Sequence, residues 1–195
     1  MTPSEWATWL IAVFYFIAFL LLSAQASKEA GRSVWLFGQG NHDQRVPALL
    51  FRLAFAGAAL WSPIAFVVGL SGRWAIIPES VALDVVGNLM AAIGAAVALA
   101  SQAYMGRSWR IGAAEGQIGT IVETGPFALS RNPVFVGQLI LFLGLTTAIP
   151  DAIHLALLAI IVIAIHRQVS IEEEVLRRSI GDPYLQYCSR VRRWL

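Results

Sequence analysis

Long apolar runs broken by short charged stretches set the pattern of this chain. Trp6 to Leu22, about Ala48 to Leu70 and about Val81 to Met105 are almost free of charge. A bilayer core about 30 Å thick needs roughly 20 helical residues, so each run is predicted to cross a membrane as a helix. The third run carries Gly87, Ala91, Ala92, Gly94, Ala95, Ala96 and Ala98. Small residues let helix backbones approach closely in lipid, which predicts a place inside the bundle for this helix. Val134 to Ile149 and Ala152 to Val169 form two further apolar runs, joined by Pro150 and Asp151, and so predict a tight antiparallel hairpin. The first of these is about 24 Å long at 1.5 Å per residue, barely a span, which suits a helix buried in protein. From Ser170 the last helix turns polar, stops at Gly181-Asp182-Pro183 and leads into a short basic amphipathic tail. The expected fold is an all-α integral membrane protein of about five transmembrane helices.

Composition agrees with a membrane location. Of 195 residues, 57% are hydrophobic and only 13% charged, with mean hydropathy +0.67, against about 25% charged in an ordinary soluble domain. One cysteine (Cys188) allows no internal disulfide, and His42, His154 and His166 have no zinc-ligand spacing, so no metal is expected. The net charge of +2 resides on cations beside apolar spans, which points to lipid headgroups and not to nucleic acid. Of the fourteen Lys and Arg, all except Arg73 fall at one end of the predicted bundle. The positive-inside rule then places the amino terminus outside and the carboxyl terminus in the cytoplasm, in a cytoplasmic membrane of bacterial type. Ala24-Gln25-Ala26 mimics a signal-peptidase site, but MTPSE lacks a cation and the apolar run exceeds a signal core, so a retained anchor is expected.

That orientation puts two polar segments on the cytoplasmic face. The glycine-rich loop over residues 106–133 contains Trp109, Ile111, Ile118, Ile121, Val122 and Phe127, too apolar for a disordered linker and long enough to be functional. It closes on SRNPVFVG, where Pro133 suits the first helical position and Asn132 the cap. The helix amides and Arg131 would make an anion-attracting corner, or Arg131 simply snorkels to lipid phosphate. The second segment, Glu172-Glu173-Glu174, has an ordinary reading too: Glu173 with Arg177 and Glu174 with Arg178 are i,i+4 pairs worth about 0.3–0.5 kcal/mol each. Glu172 has Leu176 at that spacing and no helical partner there, so it is free to face the bundle mouth, where a carboxylate beside an anion corner suits a zwitterionic ligand. Trp109, Phe127 and Tyr104 could cover a flat heterocycle, or pack at the interface. His42-Asp43 reads as loop solvation. His166, seven residues before Glu173, is either satisfied in the core or close to the site, and His154 is ambiguous in the same way.

In order along the chain, GRSWR, EGQIGTIVETGPFALSRNPVFVG and EEEVLRRSIGDPYLQYCSRVRRW resemble the integral-membrane methyltransferases related to isoprenylcysteine carboxyl methyltransferase and phosphatidylethanolamine N-methyltransferase. The likeness covers the carboxyl half; the first half matches only as spans. It implies one membrane domain over 1–195, with a three-span scaffold (1–105) and a cofactor-binding half (106–195). It also implies an S-adenosylmethionine pocket formed by the loop and the carboxyl-terminal helix. Carried over, Asn132, Pro133, Phe135, Gly137, Glu172 and Glu173 contact the cofactor, with Trp109 and Phe127 as cover. Arg131 and Arg193 become the catalytic cations that orient the acceptor, and Tyr184 and Tyr187 match the tail. Asn132 stands where the family commonly has histidine and Phe135 where it has tyrosine, so side-chain hydrogen bonds from those two positions are not carried over.

The resemblance implies methyl transfer to a lipophilic or lipid acceptor, isoprenylcysteine-carboxylate-like or phospholipid-amine-like, with a small thiol as the other enzyme reading. A non-catalytic assembly subunit is the competing class. A transporter or channel would need polar groups within the spans, which are nearly bare of them.

Overall fold

The computed structural model describes residues 1–37, 44–78, 80–112 and 121–195. His42, Asp43 and Ile118 lie outside the described residues. The described chain is helical: α1 (Pro3–Ala30), α2 (Arg45–Val67), α3 (Val81–Met105), α4 (Pro133–Ala148), α5 (Ala152–Ile180) and α6 (Asp182–Arg190), with 3₁₀ turns at Gly106–Ser108 and Gly125–Ala128. Four helices, α1, α2, α3 and α5, are long and apolar enough to cross a membrane, whereas α4 is shorter at 16 residues.

That short helix is the centre of the packing. Ten of its residues are buried, on more than one face, while α3 leaves Val85, Leu89 and Ile93 exposed and buries only one side. The expectation of an interior third helix is therefore corrected: α4 is interior and α3 flanks it. The tightest partner of α4 is α3, and α5 packs most closely on α2. The reason is a matched run of small residues. Gly87, Ala91, Gly94 and Ala98 meet Ala148, Gly144, Leu141 and Gly137 in antiparallel register, backbone against backbone. A Cβ at Gly94, Gly137 or Gly144 would collide with main-chain atoms of the opposite helix. Lipid is as apolar as a leucine side chain, so this pair is held by van der Waals packing at short range and not by hydrophobic exclusion.

Buried polar pairs fix the other contacts. Tyr15 on α1 is fully buried and accepts a hydrogen bond from Gln138 Nε2 on α4 at 2.8 Å. Gln102 on α3 donates to Ser23 Oγ on α1 at 2.9 Å. At the end opposite the arginines, Trp61 Nε1 donates to Asp151 at 3.1 Å, and Asp151 caps α5 by accepting from the His154 amide. His154 is thus a satisfied core residue.

At the arginine-rich end, residues 109–112 are clamped to the segment after α1. Leu36 N donates to Ile111 O at 2.8 Å, and Ile111 N to Val34 O at 2.7 Å. Gly181, with φ 68°, makes the left-handed break that turns α5 into α6 and folds the tail back under the bundle. The start of α4, the end of α5, the 109–112 strap and the tail consequently meet at one end.

Candidate functional site

Local chemistry at the start of α4 decides what is free there. Pro133 occupies the first helical position, as its fixed φ and missing N–H favour. Val136 N bonds Asn132 O at 3.0 Å, so the Val134 and Phe135 amides are the first-turn donors with no intrahelical acceptor. The Asn132 side chain does not cap them. The expected cap is corrected: Asn132 turns its Nδ2 to Arg193 O at 3.0 Å. Ser130 Oγ also reaches Arg193 O, and Arg131 N donates to Arg192 O at 2.9 Å. Residues 130–132 therefore grip the tail.

The same grip fixes Glu173. Its carboxylate, 4% exposed, accepts from Arg131 Nη2 at 2.8 Å and Nε at 3.3 Å, and from Arg193 Nη2 at 2.5 Å and Nε at 3.1 Å. Arg177, the helical partner expected from spacing, stands at 4.0 Å, so the surface-pair reading holds for Glu174 with Arg178 but not for Glu173. Arg131 spends its remaining donor, Nη1, on Val191 O and Cys188 O. Burial disfavours its charge, but the Glu173 bonds and charge outweigh this and raise its pKa further. Arg131 and Arg193, expected to orient an acceptor, are thus committed to a buried carboxylate and the tail.

Glu172 lies about 100° round the helix and faces elsewhere. It has a helical partner on the side opposite Leu176: Gln168 Nε2 donates to it at 2.8 Å. Arg110 is the cation whose charge acts on it. Two cavities meet here. A narrow cleft of about 90 Å³ is walled by Phe127, Arg131, Asn132, Pro133, Glu172 and Glu173, with Tyr184 and Tyr187 below. A larger apolar cavity of about 520 Å³ opens between α1 and α2 and is lined by Phe16, Phe19, Phe51, Phe55 and Trp35. Trp109, Arg110, Val134, Phe135 and Glu172 belong to both walls.

Each aromatic at the junction is held. Trp109 is buried, donates Nε1 to Ser23 Oγ at 3.1 Å and sets its ring edge-on to Phe19. Phe135 stacks on Phe51 at 5.9 Å. Phe127 is buried, and its carbonyl accepts from Tyr187 Oη at 2.7 Å. Burial pushes the Tyr187 phenol up to about 12 and raises Tyr184 as well, where the Glu173 charge adds to the effect.

The structure thus brings Arg131, Asn132, Pro133, Phe135, Glu172, Glu173, Trp109 and Phe127 to one cleft. Arg193 touches it through Glu173. Gly137 lines neither cavity; its missing side chain serves the α3 contact. Tyr104 is exposed, bonded to Thr124 beside Gly125, and His166 is exposed on the outer face of α5. Sequence reasoning gave no site role to Arg110 and overlooked Gln168. Gln168 could have been found as an amide inside an apolar helix, one turn before Glu172.

A model of the phospholipid methyltransferase family matches residues 83–182. No curated protein and no solved structure matches the chain.

Proposed function

The chain belongs to the phospholipid methyltransferase family, a family of membrane methyltransferases, and on that premise we propose that it transfers a methyl group from S-adenosylmethionine to a lipophilic acceptor at the arginine-rich end of the bundle. By the cation asymmetry that end faces the cytoplasm and the amino terminus lies outside, with α4 completing a fifth, short crossing surrounded by protein.

The observation that carries this reading is the junction of the two cavities. A cofactor with an ammonium, a carboxylate, a ribose diol and a purine needs acceptors, donors and flat apolar cover in one place. Glu172 supplies a carboxylate that accepts from Gln168 Nε2, the Val134 and Phe135 amides supply donors, and Phe135, Phe127 and Trp109 supply cover. The donor set therefore fits the cofactor. When bound, that cofactor supplies an electrophilic methyl on a sulfonium.

The protein contributes position. Glu172 takes the ammonium or ribose hydroxyls, and the first turn of α4 takes the carboxylate. Asn132, with its side chain turned to the tail, leaves the amide face of that turn clear. Glu173 holds Arg131 and Arg193, and through them the tail, as a fixed floor under the cleft. Arg131 and Arg193 are accordingly positioning residues. The apolar cavity would admit the acceptor from the lipid side, and the dry walls of the junction would align its nucleophile with a bound methyl donor. The division into a scaffold (1–105) and a cofactor-binding half (106–195) follows, except that Ser23 and Phe19 of the scaffold set the Trp109 wall.

Membranes expressing the protein, incubated with S-adenosylmethionine carrying a tritiated methyl and then separated into lipid, protein and volatile fractions, test this reading. Label is expected in the lipid-extractable fraction and absent with Glu172→Gln. Equal incorporation by membranes lacking the protein would refute it, and label confined to the volatile fraction would favour the small-thiol acceptor.

A further inference from the structure

At the end opposite the arginines, α4 stops short and leaves a recess. Its 16 residues reach about 24 Å, and Pro150 prevents it from running on. Pro150 has no N–H, the Asp151 amide donates to Ile149 O, and the Ala152 amide donates to Trp74 O. The carbonyls of Thr146, Thr147 and Ala148 therefore receive none of the backbone donors that a continuing helix would supply, and this open end carries the negative pole of α4. The loop after α2 roofs the space, with Ile76 N donating to Pro150 O at 2.9 Å. The recess encloses about 300 Å³, and Ala148 forms part of its wall.

Glu5, Asp84, Asp151 and Ser62 line it together with Trp61 and Trp74, and no lysine or arginine does. Asp151 is spent on Trp61 and His154, and Glu5 on the Thr2 amide and the terminal ammonium. The Asp84 carboxylate, by contrast, has no partner among the described residues. Ser62 is only 8% exposed, yet its hydroxyl also has no partner among the described residues. A buried hydroxyl left unbonded on a cavity wall marks a place for a ligand atom. Arg73 stands exposed outside the lining, and the remaining residues, 38–43, 79 and 113–120, contain no lysine or arginine.

We infer that this recess binds a primary alkylammonium ion, with its N–H groups shared among the Asp84 carboxylate, the Ser62 hydroxyl and the open end of α4, and its alkyl part against Trp61 and Trp74. An ammonium offers three donors and no acceptor, which matches a wall of acceptors, and indole rings favour the same charge. The site goes beyond the methyl-transfer reading and uses none of its residues, since the length of α4 separates Ala148 here from Pro133 at the cofactor cleft. The ion arrives either dissolved in water or as the head of an amphiphile, and the capturing groups are the same for both.

The test uses the whole protein in maltoside micelles, with propylammonium as the probe and saturation-transfer NMR of its methyl group as the readout, referenced to empty micelles. Propylammonium should bind saturably and at least about tenfold tighter than propanol, the size of one charge-assisted hydrogen bond. Tetramethylammonium, which has no N–H, should fall between the two. Asp84→Asn should remove most of the advantage over propanol, and Ser62→Ala should bring propylammonium and tetramethylammonium close together. S-adenosylhomocysteine binding should be unchanged in both variants. Displacement of the probe by dodecylammonium in the same micelles assigns an amphiphile source, and its retention assigns a dissolved one. Equal affinity for propylammonium and propanol, displacement of the probe by potassium at equal concentration, or an advantage that survives Asp84→Asn overturns the proposal. Loss of probe binding in Glu172→Gln, with Asp84→Asn unaffected, would move the ammonium to the cofactor junction and also overturn it. Should Asp84→Asn fail to fold, the ranking of probes in the unaltered protein and in Ser62→Ala still decides. Absence of S-adenosylhomocysteine binding with the propylammonium site intact would sink the methyl-transfer reading alone.

Discussion

Replacing Glu173 by Gln removes the charge on which the start of α4, the end of α5 and the tail converge. The side chain of Glu173 is 5% exposed, that of Arg131 11% and that of Arg193 37%. Water can take over Arg193 readily, so only the Arg131 limb counts as a buried pair. Breaking a buried pair by removing one partner costs about 3–5 kcal/mol. Arg131 keeps its bonds to Val191 O and Cys188 O, and a Gln amide keeps one acceptor oxygen, which places the cost at the lower end, about 3 kcal/mol. The loss should be local, because the bonds removed are those tying the tail to the bundle. Hydrogen exchange reads it directly. The Arg131 amide donates to Arg192 O and becomes free when the tail lifts. At 1.4 kcal/mol per decade, its exchange should accelerate more than about a hundredfold, while amides in the middle of α4 change little. An Arg131 amide within about threefold of the unaltered rate would mean the carboxylate does not hold the tail, and the reasoning from buried pairing would fail.

Gly144→Leu should force α3 and α4 apart, since a Cβ at Gly144 meets the Ala91 backbone. Overpacking costs about 1–3 kcal/mol and more where no side chain can yield, so the thermal midpoint in detergent should fall well below that of Ile93→Leu on the exposed face of α3; equal midpoints would refute the close contact. Asp151, outside the spans, is raised by burial, but the His154 bonds and charge and the Trp61 bond outweigh this and leave its pKa below the ordinary 3.8. With the folded value depressed, its contribution is full above about pH 3.8 and is lost as pH falls through the folded value. Asp151→Asn should therefore flatten the acid limb of the melting profile, and an unchanged limb would contradict the pairing.

Much of the fold was legible because the apolar runs are long and the breakers sharp: Pro133, Pro150-Asp151 and Gly181 end or start helices where expected. Helix order within the bundle was not. The small residues of the third run were visible, but a matched partner is needed to see that Gly137, Gly144 and Ala148 take them up, and pairing between helices has no one-dimensional signature. At the site, segment identity was legible and side-chain commitment was not. Spacing gives Glu173 a partner four residues on, and the nearer arginines come from 42 and 20 residues away. Glu172 looks unpaired from the following turn, where Leu176 stands, but its partner Gln168 lies in the preceding one. Arg110 enters the sequence only as a topology cation, and its place at the cavity junction becomes visible only when the 109–112 strap is set against residues 34–36.

The most direct measurement is calorimetric titration of the purified protein with S-adenosylhomocysteine. One saturable site is expected. Glu172→Gln should weaken it at least about tenfold, roughly 1.4 kcal/mol, and Asp151→Asn at the opposite end should leave it unchanged. No saturable heat with the unaltered protein, or equal affinity in Glu172→Gln, would contradict a cofactor site at the junction.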